Sequence, residues 1–527
     1  MKLWGTLLLG LALAWPAGAA HASATLMVMS ADGAGEGFND PTPATPIGGN
    51  KGKTLGAQRL IAVQHAADLW GAVLDSDVPI IVEATFDPLG CSGNVTVLAQ
   101  ASAAGIDSGI SGDGANPALV YPRALAERLA GMDLDAGGPD ITAFFNTTAD
   151  DPSCPGGGGG FYYGLDGKPG SHPDLVNTAL HELGHGLGVS DYVDRSTGDW
   201  VGASPDAYST HVLDLTTSKH WDAMSAAERL ASIVNVRKVV WDGTHVTAVA
   251  RDFLDRGMPK LGTTPAVAGL SAVVSDANFG TQSSITAVDA PLLLGNPIDG
   301  SDVTPGAAGE IILLRPTYQP SSVAQLMEQT GGLGVLMAIP TGWEPPLPID
   351  ERGPFQVDIP VLSISDADAT ALQHALGSGA VTVHLSADHN ATIGTDDQGR
   401  VFLDATKPAS SSSISHWDTL PRPSLLMEPV STPGQPNDVD LTKPMLIDLG
   451  WAPFCGNGRL DQQETCDDSS RNSDSRPDAC RSDCQKARCG DGIVDHAEAC
   501  DQGAANSDTM ANACRSDCTL ARCGDGV

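Results

Sequence analysis

Two histidines four residues apart, His181 and His185, have the spacing of a metal site on a helix. Residues at positions i and i+4 lie on the same helical face, so both imidazoles can reach one ion. Zinc binds imidazole nitrogen well, and a catalytic zinc typically keeps a water molecule beside three protein ligands. Glu182 directly follows the first histidine, where HExxH enzymes place the general base that takes a proton from that water. The segment therefore predicts hydrolytic zinc chemistry.

The residues around this segment predict the helix that the chemistry requires. Ser171, followed by Pro173 and Asp174, has the form of a capping box with a proline in the first turn. Apolar residues then recur at helical spacing and are expected to face a core, with both histidines outside the stripe: Val176, Ala179, Leu180, Leu183 and Leu187. Gly188 permits the turn that ends the helix. The alternative is an amphipathic helix with surface histidines, and cap, stripe and glycine together favour the metal site.

The third metal ligand stays open from the residues alone, because two positions could supply it. Asp191 completes the spacing HExxHxxGxxD, at which certain small secreted metzincins use aspartate. Its plainer interpretation is a polar residue that ends the helix. His416 lies far along the chain, directly before a tryptophan, and Met427 follows it within an LMEP sequence.

The HW…LMEP stretch resembles the leishmanolysin family. In that family the third histidine is separated from HExxH by an insertion and is followed closely by a Met-turn beneath the zinc. Four further segments look like secreted bacterial members of this HExxH group, namely residues 37–40, 55–70, 76–80 and 440–451. The resemblance implies that His181, His185 and His416 bind one catalytic Zn²⁺ and that Glu182 is the catalytic base. It also implies that Met427 forms a floor under the site without being a ligand.

The N-terminal sequence indicates an exported protein. Lys2, an apolar run from Leu3 to Trp15, and an A-x-A sequence ending at Ala22 predict a signal peptide over residues 1–22. That run is too short to span a bilayer, and no later segment approaches about eighteen uninterrupted apolar residues. We therefore expect a secreted, extracellular protein without a membrane span.

The overall charge restricts the partners. A formal net charge of −35 is expected to repel nucleic acid and anionic membranes. Acidic clusters near the C-terminus could hold Ca²⁺, although their plainer interpretation is a set of solvated turns. The expected partners are protein or peptide substrates, and nucleic acid is not expected among them.

Residues 262–392 are predicted to form a separate α/β module. Strand patterns at 309–315, 334–339 and 359–364 alternate with helix patterns at 322–329 and 366–376, and a last strand pattern covers 380–385. This order resembles the protease-associated (PA) domain, a lid or docking module of secreted peptidases that has no catalytic residues of its own. Matches to the HExxH group lie on both sides of it. The module is therefore predicted to be inserted into one protease domain, formed by residues 23–254 and 400–454.

The C-terminal region, residues 455–527, repeats with a period of 34 residues. Its cysteines at 455, 466, 480 and 484 recur at 489, 500, 514 and 518, and Cys523 opens a third copy that is truncated at Val527. The repeat resembles the cysteine-rich repeats of secreted myxobacterial proteins. Cysteines of an exported chain favour disulfides, here within each repeat, and the sequence leaves the pairing open.

Together these features predict an α+β fold, with a metzincin-like zinc protease domain split by an inserted α/β PA-like domain and followed by small disulfide-rich repeats. The predicted function is that of a secreted zinc metalloendopeptidase. One alternative is a non-catalytic extracellular binding or adhesion protein with a vestigial protease domain. Another is a zinc hydrolase that acts on something other than protein.

Overall fold

The structure, a computed structural model, describes most of the chain between residues 24 and 522. The described residues are 24–92, 95–112, 114–150, 160–271, 274–276, 287–316, 320–339, 357–406, 409, 413–430, 434–451, 465–468, 471–481 and 484–522. The chain divides into two units, Ala24–Asn457 and the C-terminal segment Gly458–Val527. The predicted signal peptide lies outside the described residues, as do Cys455 and Cys523. None of the helices in these ranges has the length and apolar character needed to cross a bilayer.

The first part of the larger unit is built on a four-stranded sheet. Its elements, in chain order, are β1 (Leu26–Ser30), α1 (Leu55–Gly71), β2 (Ile80–Asp87), β3 (Cys91–Ser92), β4 (Val95–Thr96), β5 (Ala99–Ala103), β6 (Ile106–Ser108), β7 (Val120–Pro122), α2 (Arg123–Ala130), β8 (Ile141–Asn146), α3 (Leu175–Leu187), β9 (Val212–Asp214), β10 (Lys219–His220), α4 (Ala226–Ser232), β11 (Val239–Trp241) and α5 (Thr244–Phe253). The strand order is β1-β2-β8-β5, with only β5 antiparallel to its neighbour. Alternate residues of β2 are buried, so one face of the sheet is packed, and α1 and α3 pack against the sheet.

Helix α3 is fixed to its surroundings through its own carbonyl groups. The indole N–H of Trp70, on α1, donates to the carbonyl of Leu180 at 3.0 Å. The indole N–H of Trp451, near the end of the larger unit, donates to the carbonyl of Leu187 at 2.8 Å. Because the last carbonyls of a helix have no partner within it, the second bond satisfies a group that would otherwise be orphaned.

The start of α3 differs from the sequence prediction. The residue that caps the helix is Asp174, whose carboxylate accepts the backbone N–H of Val176 at 2.9 Å, so the predicted cap at Ser171 is wrong. An aspartate next to the first helical residue reaches the free N–H groups directly, and its charge favours the positive end of the helix dipole. The predicted apolar stripe is confirmed, because all five of its residues are fully buried. Gly188 ends the helix with a φ of +128°, as expected for a glycine turn.

The segment that follows α5 forms a second sheet. Its elements are β12 (Arg256–Thr264), β13 (Val274–Asp276), β14 (Val288–Leu294), β15 (Ile311–Leu314), α6 (Pro320–Gln329), β16 (Gly334–Ala338), β17 (Val361–Ile364), α7 (Asp366–Ser378) and β18 (Thr382–Thr392). The strand order is β12-β18-β14-β15-β16-β17-β13, and β14 to β17 are parallel. Each strand and helix predicted between 309 and 385 is present, whereas the sheet begins at Arg256, before the expected start at 262. Separate apolar clusters cover its two faces, with α7 in one and α6 in the other.

The chain segments that enter and leave this second sheet lie side by side, and the chain then returns to the first part. The backbone N–H of Ile393 donates to the carbonyl of Asp255 at 2.9 Å. Beyond it, the N–H of Leu403 donates to the carbonyl of Val239 on β11 at 3.0 Å. The last helix of the unit, α8 (Thr442–Leu446), continues into a π-helical turn at Ile447–Trp451. One apolar core combines residues that precede the second sheet in the chain with residues that follow it. It includes Trp70, Leu183, Trp417, Met427 and Trp451.

The C-terminal unit is held by disulfides and by buried arginines, of which Arg481 links the two repeats. Cys466 pairs with Cys480, Cys500 with Cys514 and Cys489 with Cys518, so each of these bonds lies within one repeat, as predicted. Arg481, in the first repeat, donates to the carboxylates of Asp491 at 2.8 Å and Asp495 at 2.7 Å in the second. Small repeats with little apolar core depend on such cross-links for stability.

Candidate metal centre

The two histidines of α3 project from the edge of its buried face. His181 and His185 are half-buried, and their ring centroids lie 4.9 Å apart. Leu180 and Leu183, the residues between and beside them, are fully buried in the core. The helical spacing thus brings both imidazoles together on a surface that borders the core, as the sequence predicts.

His416, which belongs to the chain segment after the second sheet, reaches the same point. Its Nε2 atom lies 3.3 Å from Nε2 of His181 and 3.2 Å from Nε2 of His185. For Zn–N bonds of about 2.0–2.1 Å and tetrahedral angles, ligand nitrogens are about 3.3–3.4 Å apart. The three nitrogens therefore have the mutual spacing of ligands to one metal ion, and they form one of two candidate ligand groups among the described residues.

The hydrogen bonds of the rings fix the tautomers that metal binding requires. Nδ1 of His181 lies 2.7 Å from the carbonyl of Leu426, and Nδ1 of His185 lies 2.7 Å from the carbonyl of Val189. A carbonyl only accepts, so each Nδ1 carries the proton and each Nε2 presents a lone pair. His416 can donate a proton to only one of these two lone pairs, whereas a cation satisfies all three nitrogens. This donor set fits zinc.

Burial keeps the imidazoles in the form that binds metal. Burial lowers the pKa of His181 to about 3, with a further contribution from nearby His185, whose own pKa is also lowered by burial. Both rings are therefore neutral at pH 7, and no proton has to leave before a cation binds.

Glu182 points from α3 toward the edge strand β5. Its side chain is buried, and the backbone N–H of Ala101 donates to its carboxyl group. Burial raises the pKa of Glu182 to about 8, against the opposing effect of that hydrogen bond. A cation bound beside it would lower this pKa again, because it favours the charged carboxylate. Such a group can both take up and release a proton near neutral pH.

Met427 lies directly beneath the histidine helix. It is fully buried in a tight turn in which the N–H of Glu428 donates to the carbonyl of Leu425 at 3.1 Å. A Cβ atom at Gly184 would lie only 2.8 Å from its sulfur, so the helix can pack this closely only with glycine there. The turn also carries the carbonyl of Leu426, which orients His181, so the turn supports the site.

Asp191, the alternative third ligand, lies outside the group of three nitrogens. Its two carboxylate oxygens accept from Arg195 at 2.9 and 2.8 Å, and one of them also accepts from the hydroxyl of Ser415 at 2.9 Å. The structure therefore brings His416, and not Asp191, to the two helical histidines.

The second candidate ligand group combines Cys489, Glu498 and Cys518. Its two cysteines are joined in a disulfide, so their sulfurs are not thiolates and cannot serve a metal. The acidic residues of the same region are occupied locally, and Asp501, for example, accepts the N–H groups of Gly490 and Gly492. Nothing in the described residues supports the Ca²⁺ binding that the sequence suggested.

Sequence reasoning missed the polar groups that support the ligands. Asp440 accepts the N–H of Leu426, and its other oxygen accepts the N–H and the hydroxyl of Thr442, both at 2.9 Å. It thereby fixes the peptide whose carbonyl orients His181, and burial raises the pKa of Asp440 to about 6. The sequence signal available for Asp440 was its place in a family-like segment. The carbonyls of Val189 and Leu426 carry no signal in the sequence, because every residue has one.

Known proteins are similar to this chain only weakly. No protein-family model matches the sequence, and no curated protein is significantly similar to it. A zinc aminopeptidase from Bacillus subtilis is 22% identical, over 28% of this chain and 37% of its own, with a TM-score of 0.21. An aminopeptidase from Aneurinibacillus sp. strain AM-1 is 9% identical, over 38% and 45%, with a TM-score of 0.18.

A peptidase M28 precursor from Shewanella amazonensis is 12% identical, over 40% of this chain and 50% of its own, with a TM-score of 0.19. The chain thus spans half or less of the length of these three structures. TM-scores this low do not establish a shared fold.

Proposed function

We propose that this protein is a secreted zinc-dependent metalloendopeptidase, with His181, His185 and His416 as zinc ligands and Glu182 as general base. The observation that carries the proposal is the convergence of three imidazole Nε2 atoms at 3.2 and 3.3 Å, next to a buried glutamate. A HExxH pair on a helix with one distant histidine is a donor set that leaves a coordination position for water.

The chain's own residues provide the proton transfers of peptide hydrolysis. Bound zinc supplies Lewis-acid chemistry, in that it polarises a carbonyl group and acidifies water. Glu182 takes a proton from water on one of its carboxylate oxygens and passes it to the nitrogen of the leaving amine. Burial raises the pKa of Glu182 to about 8, and a bound cation would lower this pKa, which favours the carboxylate that accepts the first proton.

The edge strand β5 provides a place for an extended substrate. The carbonyl of Leu98 accepts from Asn146, and the N–H of Ala104 donates to Asp140, so even-numbered residues of this strand bond to β8. The backbone groups of the odd-numbered residues, Ala99, Ala101 and Ala103, therefore face away from β8. The N–H of Ala101 donates to Glu182, which places this edge beside the base, and no other strand of the described residues pairs with it. A peptide added as a further strand would extend past the site in both directions, which favours an endopeptidase.

The second sheet, residues 256–392, completes the proposal as an inserted PA-like module with a docking or lid role. Its ends meet at Asp255 and Ile393, and its clusters of apolar residues are separate from the main core. Half-buried Arg237 holds it, by donating to the carbonyl of Val274 at 3.0 Å and to the hydroxyl of Ser275 at 2.6 Å.

A vestigial protease domain in a binding protein is the alternative, and Glu182 argues against it. Burial of a carboxyl group costs stability whether or not the group does chemistry, so a retired site would gain nothing from keeping one. A zinc hydrolase acting on other substrates is disfavoured by the free strand edge beside the base, because that edge offers the hydrogen bonds of a peptide backbone.

The test is casein cleavage by the purified protein, with zinc content measured on the same sample. We expect about one zinc per chain and cleavage that a chelator abolishes and zinc restores. Glu182→Gln should keep the zinc and lose at least about a hundredfold in turnover, the low end of the contribution of general acid–base catalysis. Glu83→Gln, an exposed carboxylate on β2, is the matched control and should cleave normally. Zinc-loaded wild-type protein without proteolysis would support the binding protein instead.

A further inference from the structure

We propose that Asp191 and Arg195 form a clamp that positions His416 for the metal. Asp191, the alternative third ligand predicted from the sequence, is then a positioning residue. The inference rests on the proposed function, since it assigns a role around the same zinc. Its basis is a set of contacts between the loop after α3 and the segment 413–416, which lies 224 residues further on.

The segment that presents His416 does not adopt its conformation by itself. It belongs to no helix or strand, and Ile414 within it has a φ of +72°. This left-handed conformation is unfavourable for a β-branched residue and persists only where the surroundings impose it. Ile414 is fully buried, its N–H donates to the carbonyl of Asp404, and its carbonyl accepts from the hydroxyl of Tyr208 at 2.7 Å.

The clamp holds this segment on both sides of Ile414. The hydroxyl of Ser415 donates to Asp191 at 2.9 Å and accepts the backbone N–H of Asp191 at 3.3 Å. Arg195 donates to the carbonyl of Ser413 at 2.6 Å. Because Ser415 directly precedes His416, its two bonds to Asp191 fix the backbone from which the imidazole projects.

The clamp itself is rigid. The side chain of Asp191 is fully buried, and both of its oxygens accept from the guanidinium of Arg195 in a bidentate pair. Bidentate pairs fix geometry as well as charge. The same loop also orients His185 of α3, because the ring N–H of His185 donates to the carbonyl of Val189, two residues before Asp191. One short loop thus sets the distance between a ligand of α3 and the ligand that returns after the second sheet.

The test compares zinc affinities of the full chain, measured by competition with a fluorescent chelator, and absorption spectra of the Co²⁺-substituted protein. Asp191→Asn should bind zinc about 10–100-fold more weakly, the usual effect of losing a group that orients a metal ligand. Arg195→Lys, which keeps the charge but loses the bidentate fork, and Ser415→Ala, which loses only a hydroxyl, should weaken binding in the same direction. All three should shift the Co²⁺ bands, because the ligand geometry changes, whereas a merely structural role would leave the spectrum of the folded fraction unchanged.

Asp194→Asn removes the same charge from an exposed position of the same loop and should bind as the wild type does. The double variant of Asp191→Asn with Ser415→Ala should lose less than the product of the two single losses, since both changes affect the same hydrogen bond between the two side chains. Should Asp191→Asn alone weaken binding while Arg195→Lys and Ser415→Ala bind normally, Asp191 would be a ligand and the clamp would be refuted. Folded variants that all bind and absorb as the wild type does would also refute it.

The proposed function and the clamp fail in different ways in this experiment. Wild-type protein that binds zinc but cleaves no peptide contradicts the function and leaves the clamp to be decided by the affinities. Wild-type protein that binds no zinc contradicts both.

Discussion

The two sheets of the larger unit bury very different side chains. In the second sheet, the central strands β15, β16 and β17 are buried at every residue, and all but one glycine and one serine of their side chains are apolar. The first part and its returning segment instead bury Glu182, Asp191, Asp206, Asp404 and Asp418. Burial of a carboxyl group is costly unless hydrogen bonds or a partner compensate it. The comparison teaches that one core serves packing, while the other spends stability on holding polar groups in place around three histidines.

The two regions should differ most when a histidine of each is replaced, because only the first region holds metal ligands. His416→Ala should lose zinc and peptidase activity together. Losing a hydrogen bond that supports a ligand already costs about 10–100-fold in affinity, so loss of the ligand itself should cost at least about 100-fold. His389→Ala, at an exposed position of β18 in the other sheet, is the matched control and should change neither. Zinc titration of both variants decides the prediction, and equal affinities would remove His416 from the site.

A pair of leucines in the two cores tests whether packing and chemistry are separate. Leu183 on α3 and Leu336 on β16 are both fully buried. Truncation of either to alanine should lower the free energy of unfolding by about 2–5 kcal/mol, the usual range for a buried leucine. We expect Leu183→Ala alone to weaken zinc binding, because it loosens the helix that carries two ligands. Urea unfolding and zinc titration measure the two effects, and weaker zinc binding by Leu336→Ala would show that the cores are coupled.

The smallest expected effect, for any one pH unit, is a pH dependence of stability. Burial, together with the nearby charge of Asp191, raises the pKa of Asp206 to about 7, against an unfolded value of about 3.9. Between these values the folded protein binds more protons than the unfolded chain. The contribution of Asp206 is therefore complete below about pH 4 and is lost as the pH rises through 7, with a slope of at most about 1.4 kcal/mol per pH unit.

Asp206→Asn should flatten this slope, because an amide does not titrate. Urea unfolding of the zinc-loaded wild type and variant at several values between pH 4 and 8 measures the difference. Glu83→Gln serves as the exposed control and should unfold with the wild-type slope. Parallel slopes for the wild type and Asp206→Asn would show that Asp206 is already ionised across this range.

The sequence predicted the helical part of the candidate site better than the rest. The apolar stripe and Gly188 located α3, because helical periodicity depends on local residues. The sequence does not distinguish Asp174 from Ser171 as the cap, since several polar residues precede the helix and only the backbone decides which one caps it. His416 was found through resemblance and not through periodicity, because it projects from an irregular segment around Ile414. The clamp of Asp191 and Arg195 could not be predicted, since it depends on a contact across 224 residues.

The free edge of β5 has a consequence for the solubility of the protein. Among the described residues β5 pairs with β8 alone, and apart from the N–H of Ala101, which donates to Glu182, its outward backbone groups could accept a strand from another molecule as readily as a substrate. The strand is short, with five residues, and its exposed side chains at Gln100 and Ser102 are polar, which keeps such pairing between molecules brief. Replacement of its alanines by valine or isoleucine would strengthen pairing of any kind. If β5 binds substrate as proposed, an edge of this composition would accept a peptide transiently and disfavour aggregation.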